Sequence, residues 1–435
     1  MQSDNRFSNI QEILKEDLCT NIGKVKRISG MMIEATGSKY KIGEICEIET
    51  DATEKIVRAE VVGFNDGRVL LMPYEDIKGI GLGNLVKSTK HKLKIPVGDF
   101  LIGRIVDATG HPIDDDKQFT SDEYCCVDNE YINPLSRPRI DSSLSFGIKA
   151  IDGLLTIGKG QRMGIFSGSG VGKSTLMGMV AKNVKADINV IALVGERGRE
   201  VREFIDKDLG EEGLKRSVLV IATSDQPAML RVKCALVATT IAEYFKDKGK
   251  DVLLMMDSLT RFAMAQREIG LATGEPPVSR GYTPSIYAEL PKLLERSGNF
   301  NKGSITGIYT VLVEGDDTNE PISDTVRGIV DGHIVLTRKL ANSNHYPAID
   351  INASISRLMD DIVEKKHKEA AKKIRDILSV YYANYDLISI GAYKKGTNPK
   401  LDEAISKIDK VNDFLTQGVN EKYTFEETIQ LMSEI

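Results

Sequence analysis

The string Ser167-Gly168-Ser169-Gly170-Val171-Gly172-Lys173-Ser174-Thr175 carries the sharpest chemical signal in the sequence. Glycines let a backbone curl until successive N–H groups point at one anion. A lysine after them can reach the β- and γ-phosphates of a nucleotide, and the hydroxyl that follows can ligate Mg²⁺. The string follows a strand-like Arg162–Phe166 and opens a helical Thr175–Asn183, the strand–loop–helix context that a phosphate-binding P-loop needs. Gly168, Ser169, Gly170, Val171, Gly172, Lys173, Ser174 and Thr175 are therefore the nucleotide-cradling candidates. Ser167 stands where such loops usually begin with glycine, and a small residue still fits there.

Hydrolysis needs more than a cradle. Val252-Leu253-Leu254-Met255-Met256 reads as a buried strand and ends in Asp257. A carboxylate at such a strand tip is a second Mg²⁺ anchor, acting through water. An aspartate capping the next helix would look the same in isolation, and the upstream glycine loop favours the metal reading. A further apolar run, Ile188–Val194, leads into Gly195-Glu196-Arg197-Gly198-Arg199-Glu200. In-line attack on a γ-phosphate needs a group that orients and polarises water. Glu196 is the candidate, although taken alone the segment also reads as a charged loop.

The elements around these residues form three textures. Within Met1–Thr20, Phe7, Ile10, Ile13, Leu14 and Leu18 space like one face of a short amphipathic helix. From Lys24 to about Lys90 short alternating runs are broken by glycine. Asn65-Asp66-Gly67 between two of them signals a tight hairpin. Several short strands in so little chain suggest a small closed β-barrel. From about His91 the pattern becomes α/β, with strand-length apolar runs at Ile188–Val194, Val218–Ala222, Val252–Met256, Ile308–Val313 and Ile334–Leu336. Continuous apolar strands fit a parallel sheet covered on both faces. After about Asp360 helical signals dominate, and the Lys-rich Glu364–Arg375 reads as a solvated helix face.

Composition excludes several classes. The 435 residues carry 58 Lys+Arg against 63 Asp+Glu, a net charge of −5 that argues against a dedicated double-stranded nucleic-acid binder. No run of 18 apolar residues is present, so no transmembrane helix is expected. The first twenty residues lack the apolar stretch of a secretory signal. Cys19, Cys46, Cys125, Cys126 and Cys234 read as free thiols in a reducing cytosol. The histidines show no metal-ligand spacing, so zinc is not expected.

Gly195–Glu200, the glycine loop, Asp257-Ser258-Leu259-Thr260-Arg261-Phe262-Ala263 and Gly274-Glu275-Pro276-Pro277 stand in the order found in rotary ATPase catalytic subunits. Phe262–Gly270, Ala288–Arg296, Val313–Asp317 and Asp324–Leu336 resemble one branch most, the flagellar and type III secretion export ATPases. The resemblance spans about Leu101 to Ala404; the barrel resembles the family in pattern only. It implies an α/β fold with a RecA-like P-loop core on a parallel sheet, a small N-terminal β-barrel and a C-terminal helical domain. The expected division is 1–20 for an amphipathic partner-binding segment and 21–90 for a barrel used in oligomerisation. Residues 91–360 would form the ATPase domain, and 361–435 the helical domain.

The resemblance further implies a Mg²⁺-dependent ATPase of flagellar protein export, working as a homohexamer with nucleotide at each subunit interface. Lys173 and Ser174 would serve phosphate and Mg²⁺, Glu196 the attacking water, and Asp257 the metal. Arg197 and Arg261 would support the same pocket. Arg357, in Ala353-Ser354-Ile355-Ser356-Arg357, matches the finger arginine that enters the neighbour's site, where a guanidinium offsets charge on the transferring group. Tyr346, in His345-Tyr346-Pro347-Ala348, matches the aromatic that packs on adenine. The second adenine-facing aromatic has no match: Gly391 falls near its place, with Tyr393 as a substitute. Implied partners are a stalk-like regulator at the N-terminal segment, a central stalk, membrane proteins of the export gate and chaperone–substrate complexes, but no nucleic acid. The implied location is cytoplasmic, peripheral to the inner membrane.

Other readings are a virulence-type secretion ATPase, a rotary catalytic subunit, an RNA-translocating hexamer and a non-catalytic regulatory subunit. The acidic loop of the rotary subunit is absent. An RNA-binding barrel would show aromatic and basic stacking residues, and Lys24–Lys90 has only Tyr40, Phe64 and Tyr74 as aromatics. A regulatory subunit usually loses the activating carboxylate, and Glu196 is present.

Overall fold

Six strands close into a barrel: β1 (Ile22–Ser29), β2 (Met32–Ala35), β3 (Glu44–Glu49), β4 (Ile56–Asn65), β5 (Arg68–Pro73) and β6 (Leu85–Lys92). The order around it is β1-β2-β5-β4-β3-β6, and β6 pairs back with β1, which leaves no open edge. The β4–β5 hairpin turns on Asp66 and Gly67, at φ 45° and 72°, the left-handed pair that a tight two-residue turn requires. Val25, Ile33, Ile48, Val61, Leu71 and Val86 fill the interior.

The computed structural model describes residues 21–50, 56–115, 119, 121–128, 133–313 and 320–435. The amphipathic segment expected over 1–20 lies outside the described residues, as do Glu314–Asp317 of the Val313–Asp317 string.

At its base the barrel is continuous with the rest of the protein. Met32, Ile45, Leu70, Met72 and Tyr74 share one apolar cluster with Val232 and Ala235 of the long helix Ala228–Asp247. The same helix carries Lys233, whose ammonium lies 2.9 Å from Glu60 Oε1 on β4.

The nine-stranded core sheet runs Ile349–Ser356, Gly332–Leu336, Arg162–Ser167, Ser304–Leu312, Asp251–Asp257, Ile188–Glu196, Ser217–Thr223, Ile105–Asp107, with Gly298–Asn299 paired to Ser304–Leu312. All main-path pairings are parallel except that of Ile349–Ser356 with Gly332–Leu336. Side chains alternate across a strand. Val190, Ala192, Val194, Leu254 and Met256 therefore face the helices Ala228–Asp247, Leu259–Ala272 and Pro284–Leu294. Ile191, Leu193, Leu253 and Met255 face Lys149–Leu154, Lys173–Asn183 and the C-terminal helices. Burial on both faces is why these strands read as unbroken apolar runs.

Strand–helix alternation starts later than the expected His91. Lys94–Pro96 and Tyr124–Cys126 form a two-stranded ribbon, and the first α-helix among the described residues of this region is Lys149–Leu154. Prolines at 112, 134 and 138 remove backbone donors from the intervening chain. The C-terminal helices are Lys365–Ala383, Tyr385–Ser389, Pro399–Leu415 and Phe425–Ser433. Lys365, Lys366, Lys372 and Lys373 are solvated, as expected. Arg375 is not part of that face: its guanidinium donates to Ile351 O and Leu154 O, pinning the helix to the core. Cys46, Cys125, Cys126 and Cys234 are free, and no described helix is long and apolar enough to cross a membrane.

Candidate functional site

Parallel strands deliver their C-terminal ends to one edge of a sheet, and ligands bind in the crevice outside that edge. Here Arg162–Ser167, Asp251–Asp257 and Ile188–Glu196 bring Ser167, Asp257 and Glu196 to a cleft of about 720 Å³. The loop after Ser167 lines it from Gly168 to Thr175, apart from the buried Val171, which packs into the core. Gly172 sits at φ 86° just before the helix Lys173–Asn183, which begins two residues before the expected start. That left-handed turn aims the first helical N–H groups into the cleft.

Lys173 is partly buried, between two carboxylates. Its ammonium donates to Asp257 Oδ1 and stands 3.7 Å from Glu196 Oε1. Burial opposes its charge, yet Asp257 and Glu196 hold it above the usual lysine range. Thr310 Oγ1, on the intervening strand, donates to Asp257 Oδ1 at 2.7 Å. Asp257 is not a helix cap. Ser258 does that work, its hydroxyl accepting from Arg261 N at 3.3 Å. Burial first, and the Asp257 charge second, push the Glu196 carboxyl up to about 7.

Three buried polar atoms on the cleft wall have no hydrogen-bond partner among the described residues: Ser167 Oγ, Glu196 Oε1 and Arg261 Nε. Buried polar groups are normally paired. The unpartnered donor on Arg261 suits a phosphate oxygen, and the unpartnered acceptor on Glu196 suits a water proton. Ser174 is exposed at the cleft, with Thr175 beside it on the same lining. No cluster of three or more His, Cys, Asp or Glu that could hold a metal exists among the described residues. Ser174 and Asp257, which line the cleft together, are a hydroxyl and a carboxylate of the kind that Mg²⁺ takes alongside substrate phosphates.

The remaining predicted residues divide. Arg197 borders the cleft but its guanidinium is exposed, 3.3 Å from Glu200. Arg357 lies outside the cleft of its own chain: it follows the edge strand Ile349–Ser356, is exposed, and donates to Arg327 O at 3.2 Å. Tyr346 is 41% exposed, and its ring lies against the phosphate-binding loop, Cε1 falling 3.4 Å from where a Cβ on Gly172 would be.

Tyr346, Gly391 and Tyr393 are all outside the set of residues that line the cleft. Tyr393 donates to Asp402 Oδ1 at 3.0 Å and Asn398 O at 3.1 Å, tying the turn before Pro399–Leu415. The chain beside Tyr346 is the stretch after that helix: Gln417 N donates to Tyr346 O at 2.9 Å. Sequence reasoning also missed Thr310, Arg338 and Glu320, the last two lining the cleft. None of them belongs to a recognisable spacing.

Residues 147–356 match the nucleotide-binding domain of the ATP synthase alpha/beta family, 25–90 its beta-barrel domain, and 363–434 the C-terminal domain of the T3SS EscN ATPase family. The chain is 55% identical to the flagellum-specific ATP synthase of Bacillus subtilis, over 95% of this chain and 94% of the relative. It is 46% identical to the type 3 secretion system ATPase of Xanthomonas euvesicatoria, over 98% of each. It superposes with TM-score 0.88 and 45% identity on assembled EscN of enteropathogenic E. coli in complex with its central stalk EscO, covering 95% of this chain and 99% of that one. Barrel, P-loop sheet and helical C-terminal domain are matched together, and the chain belongs to the ATP synthase alpha/beta family, in the branch of flagellar and type III secretion ATPases.

Proposed function

We propose that this cleft hydrolyses ATP to ADP and phosphate to energise export of flagellar proteins, releasing chaperones from their cargo and unfolding it. The loop from Gly168 to Thr175 cradles the phosphate chain, and Lys173 exchanges its Asp257 partner for the β- and γ-phosphates. Ser174 and Asp257 would hold Mg²⁺, which supplies charge neutralisation on the phosphate oxygens. Glu196 orients the attacking water and takes up its developing charge, while Arg261 and Arg197 steady the γ-phosphate side. Tyr346 meets the adenine.

Arg357 lies away from its own cleft, which supports its acting on a neighbour's nucleotide in a homohexamer. The EscN–EscO complex supports a central stalk for this ring too. The N-terminal segment binds a stalk-like regulator, and the ring stands at the membrane-embedded export gate from the cytoplasmic side. Flagellar export is favoured over a virulence system by the higher identity to the flagellum-specific relative, 55% against 46%.

One observation carries the chemistry: the Glu196 carboxylate oxygen is buried, has no hydrogen-bond partner among the described residues, and stands 3.7 Å from the P-loop lysine. Glu196→Gln keeps the shape and the hydrogen-bonding oxygen but cannot accept charge from water. It should bind ATP normally and lose about 10²–10⁴-fold in single-turnover hydrolysis, the usual worth of a general base. Lys173→Ala should instead weaken nucleotide binding itself. Near-normal turnover by the Glu196 variant removes that residue from the reaction.

A further inference from the structure

We propose that Gln417 is a positioning residue that fixes Tyr346 against the phosphate-binding loop, so that the base end of the nucleotide site depends on the C-terminal helical domain. The proposal rests on the reading of Tyr346 as the adenine-facing residue. Gln417 comes two residues after the helix Pro399–Leu415 and is 6% exposed. Its amide is nearly saturated. Oε1 accepts from Lys149 N at 2.9 Å, and Nε2 donates to Gly147 O and Glu421 O, each at 2.9 Å. Its backbone N–H makes the 2.9 Å bond to Tyr346 O. One buried residue thus joins the Tyr346 loop, the Gly147 turn and the C-terminal chain.

The far end of this clamp is rigid. The Asp152 carboxylate accepts from Phe146 N at 2.8 Å, Gly147 N at 2.9 Å and Ser145 Oγ at 3.0 Å, which fixes the turn that presents Gly147 O. The Lys149 ammonium donates to Asp413 O at 3.2 Å and stands 4.8 Å from the centre of the Tyr423 ring. The near end is less held. The Tyr346 ring is partly exposed, and the neighbouring His345 contributes a buried Nε2 with no hydrogen-bond partner among the described residues. Among the described residues, the Gln417 amide supplies the side-chain hydrogen bonds that tie the chain from Thr416 to the exposed Val419 to the core where it meets Tyr346. Without them the backbone bond to Tyr346 O would be lost as well.

The test compares two Mg²⁺ ligands on the full chain: a non-hydrolysable ATP analogue, and tripolyphosphate, which has no base. Gln417→Met preserves length and burial but removes all three side-chain hydrogen bonds. It should weaken the ATP analogue about 3- to 10-fold, the equivalent of one net hydrogen bond, and leave tripolyphosphate binding unchanged. Gln417→Glu keeps the oxygen that accepts Lys149 N–H but sets a second acceptor against Gly147 O and Glu421 O, so it should shift the ratio at least as far; it is read by the same ratio if the Met variant does not fold. An unchanged ratio of the two affinities in a folded variant overturns the proposal, as does equal weakening of both ligands with a lowered melting temperature, the mark of a merely structural role. Tyr346→Ala separates the two readings. If it shifts the ratio and the Gln417 variants do not, the positioning role fails while the base assignment stands. If Tyr346→Ala leaves the ratio unchanged, the base assignment itself fails.

Discussion

Lys233→Met should loosen the barrel from the nucleotide domain far more than loss of a surface charge would. Lys233 and Glu60 are 4% and 8% exposed, and the ammonium stands 2.9 and 2.8 Å from the two carboxylate oxygens. The Tyr74 hydroxyl donates to the same carboxylate. Burial, with Glu60 beside it, pushes the Tyr74 phenol well above its ordinary value, so it remains a donor. Truncating the lysine leaves Glu60 a buried anion with the phenol as its remaining close partner; Asp128, 4.0 Å from Lys233, adds a second negative charge nearby. Breaking a buried pair from one side costs roughly 3–5 kcal/mol, whereas replacing both members by neutral groups is close to neutral. Exposed pairs give about 0–1 kcal/mol.

A chain of several domains has no single unfolding free energy, so the readout must be local. Native-state hydrogen exchange resolves opening region by region. At about 1.4 kcal/mol per factor of ten, 3–5 kcal/mol means that peptides from β1 to β6 should exchange roughly 10²- to 4 × 10³-fold faster, while those around Lys173 change little. Adding Glu60→Gln to Lys233→Met should restore most of the protection. Nucleotide binding should survive, because the Lys173 cleft is built from other strands. A single variant within about threefold of wild type, or a double variant whose effects simply add, refutes the reasoning: the pair would then be solvated and behave like a surface one.

The other expectations concern assembly. Arg357→Ala should bind ATP normally and lose on the order of 10³-fold or more in turnover, as removal of other arginine fingers does. Specific activity of the wild type should rise with protein concentration as rings form, and a monomer working at full specific activity contradicts a shared site. Deleting residues 2–18 should leave folding and basal ATPase intact while abolishing co-purification of the stalk-like regulator. A truncated chain that melts markedly lower yet still captures that partner places the apolar stripe in the core instead.

What was legible in the sequence was what chemistry forces into short, contiguous strings. Ser167–Thr175 can be read because a strand, a turn and a helix N-terminus must follow one another directly to surround a phosphate. Asp257 and Glu196 can be read because a buried parallel strand is a continuous apolar run, and the first charged residue after it stands at the ligand-binding edge. The hairpin at Asp66-Gly67 is legible for a similar reason: its backbone angles restrict the residue types. Each of these is a local constraint.

What holds Tyr346, the proposed base contact, was illegible for the opposite reason. Tyr346 is held by a backbone N–H, a group that every residue except proline carries, and the residue that supplies it lies 71 positions downstream, as the difference between 417 and 346. No side-chain type marks such a contact. The Lys233–Glu60 pair, separated by 173 residues, is hidden in the same way: either residue alone reads as a surface charge, and only the docking of barrel on helix buries them together. The contacts that join domains are therefore the ones that sequence patterns miss. They are also the contacts through which a barrel, a cleft and a helical domain could exchange free energy during a cycle of hydrolysis, because a bond between two bodies is the kind that a relative movement must strain or break. The Gln417 and Lys233 variants bear on that coupling directly, from the two ends of the nucleotide domain.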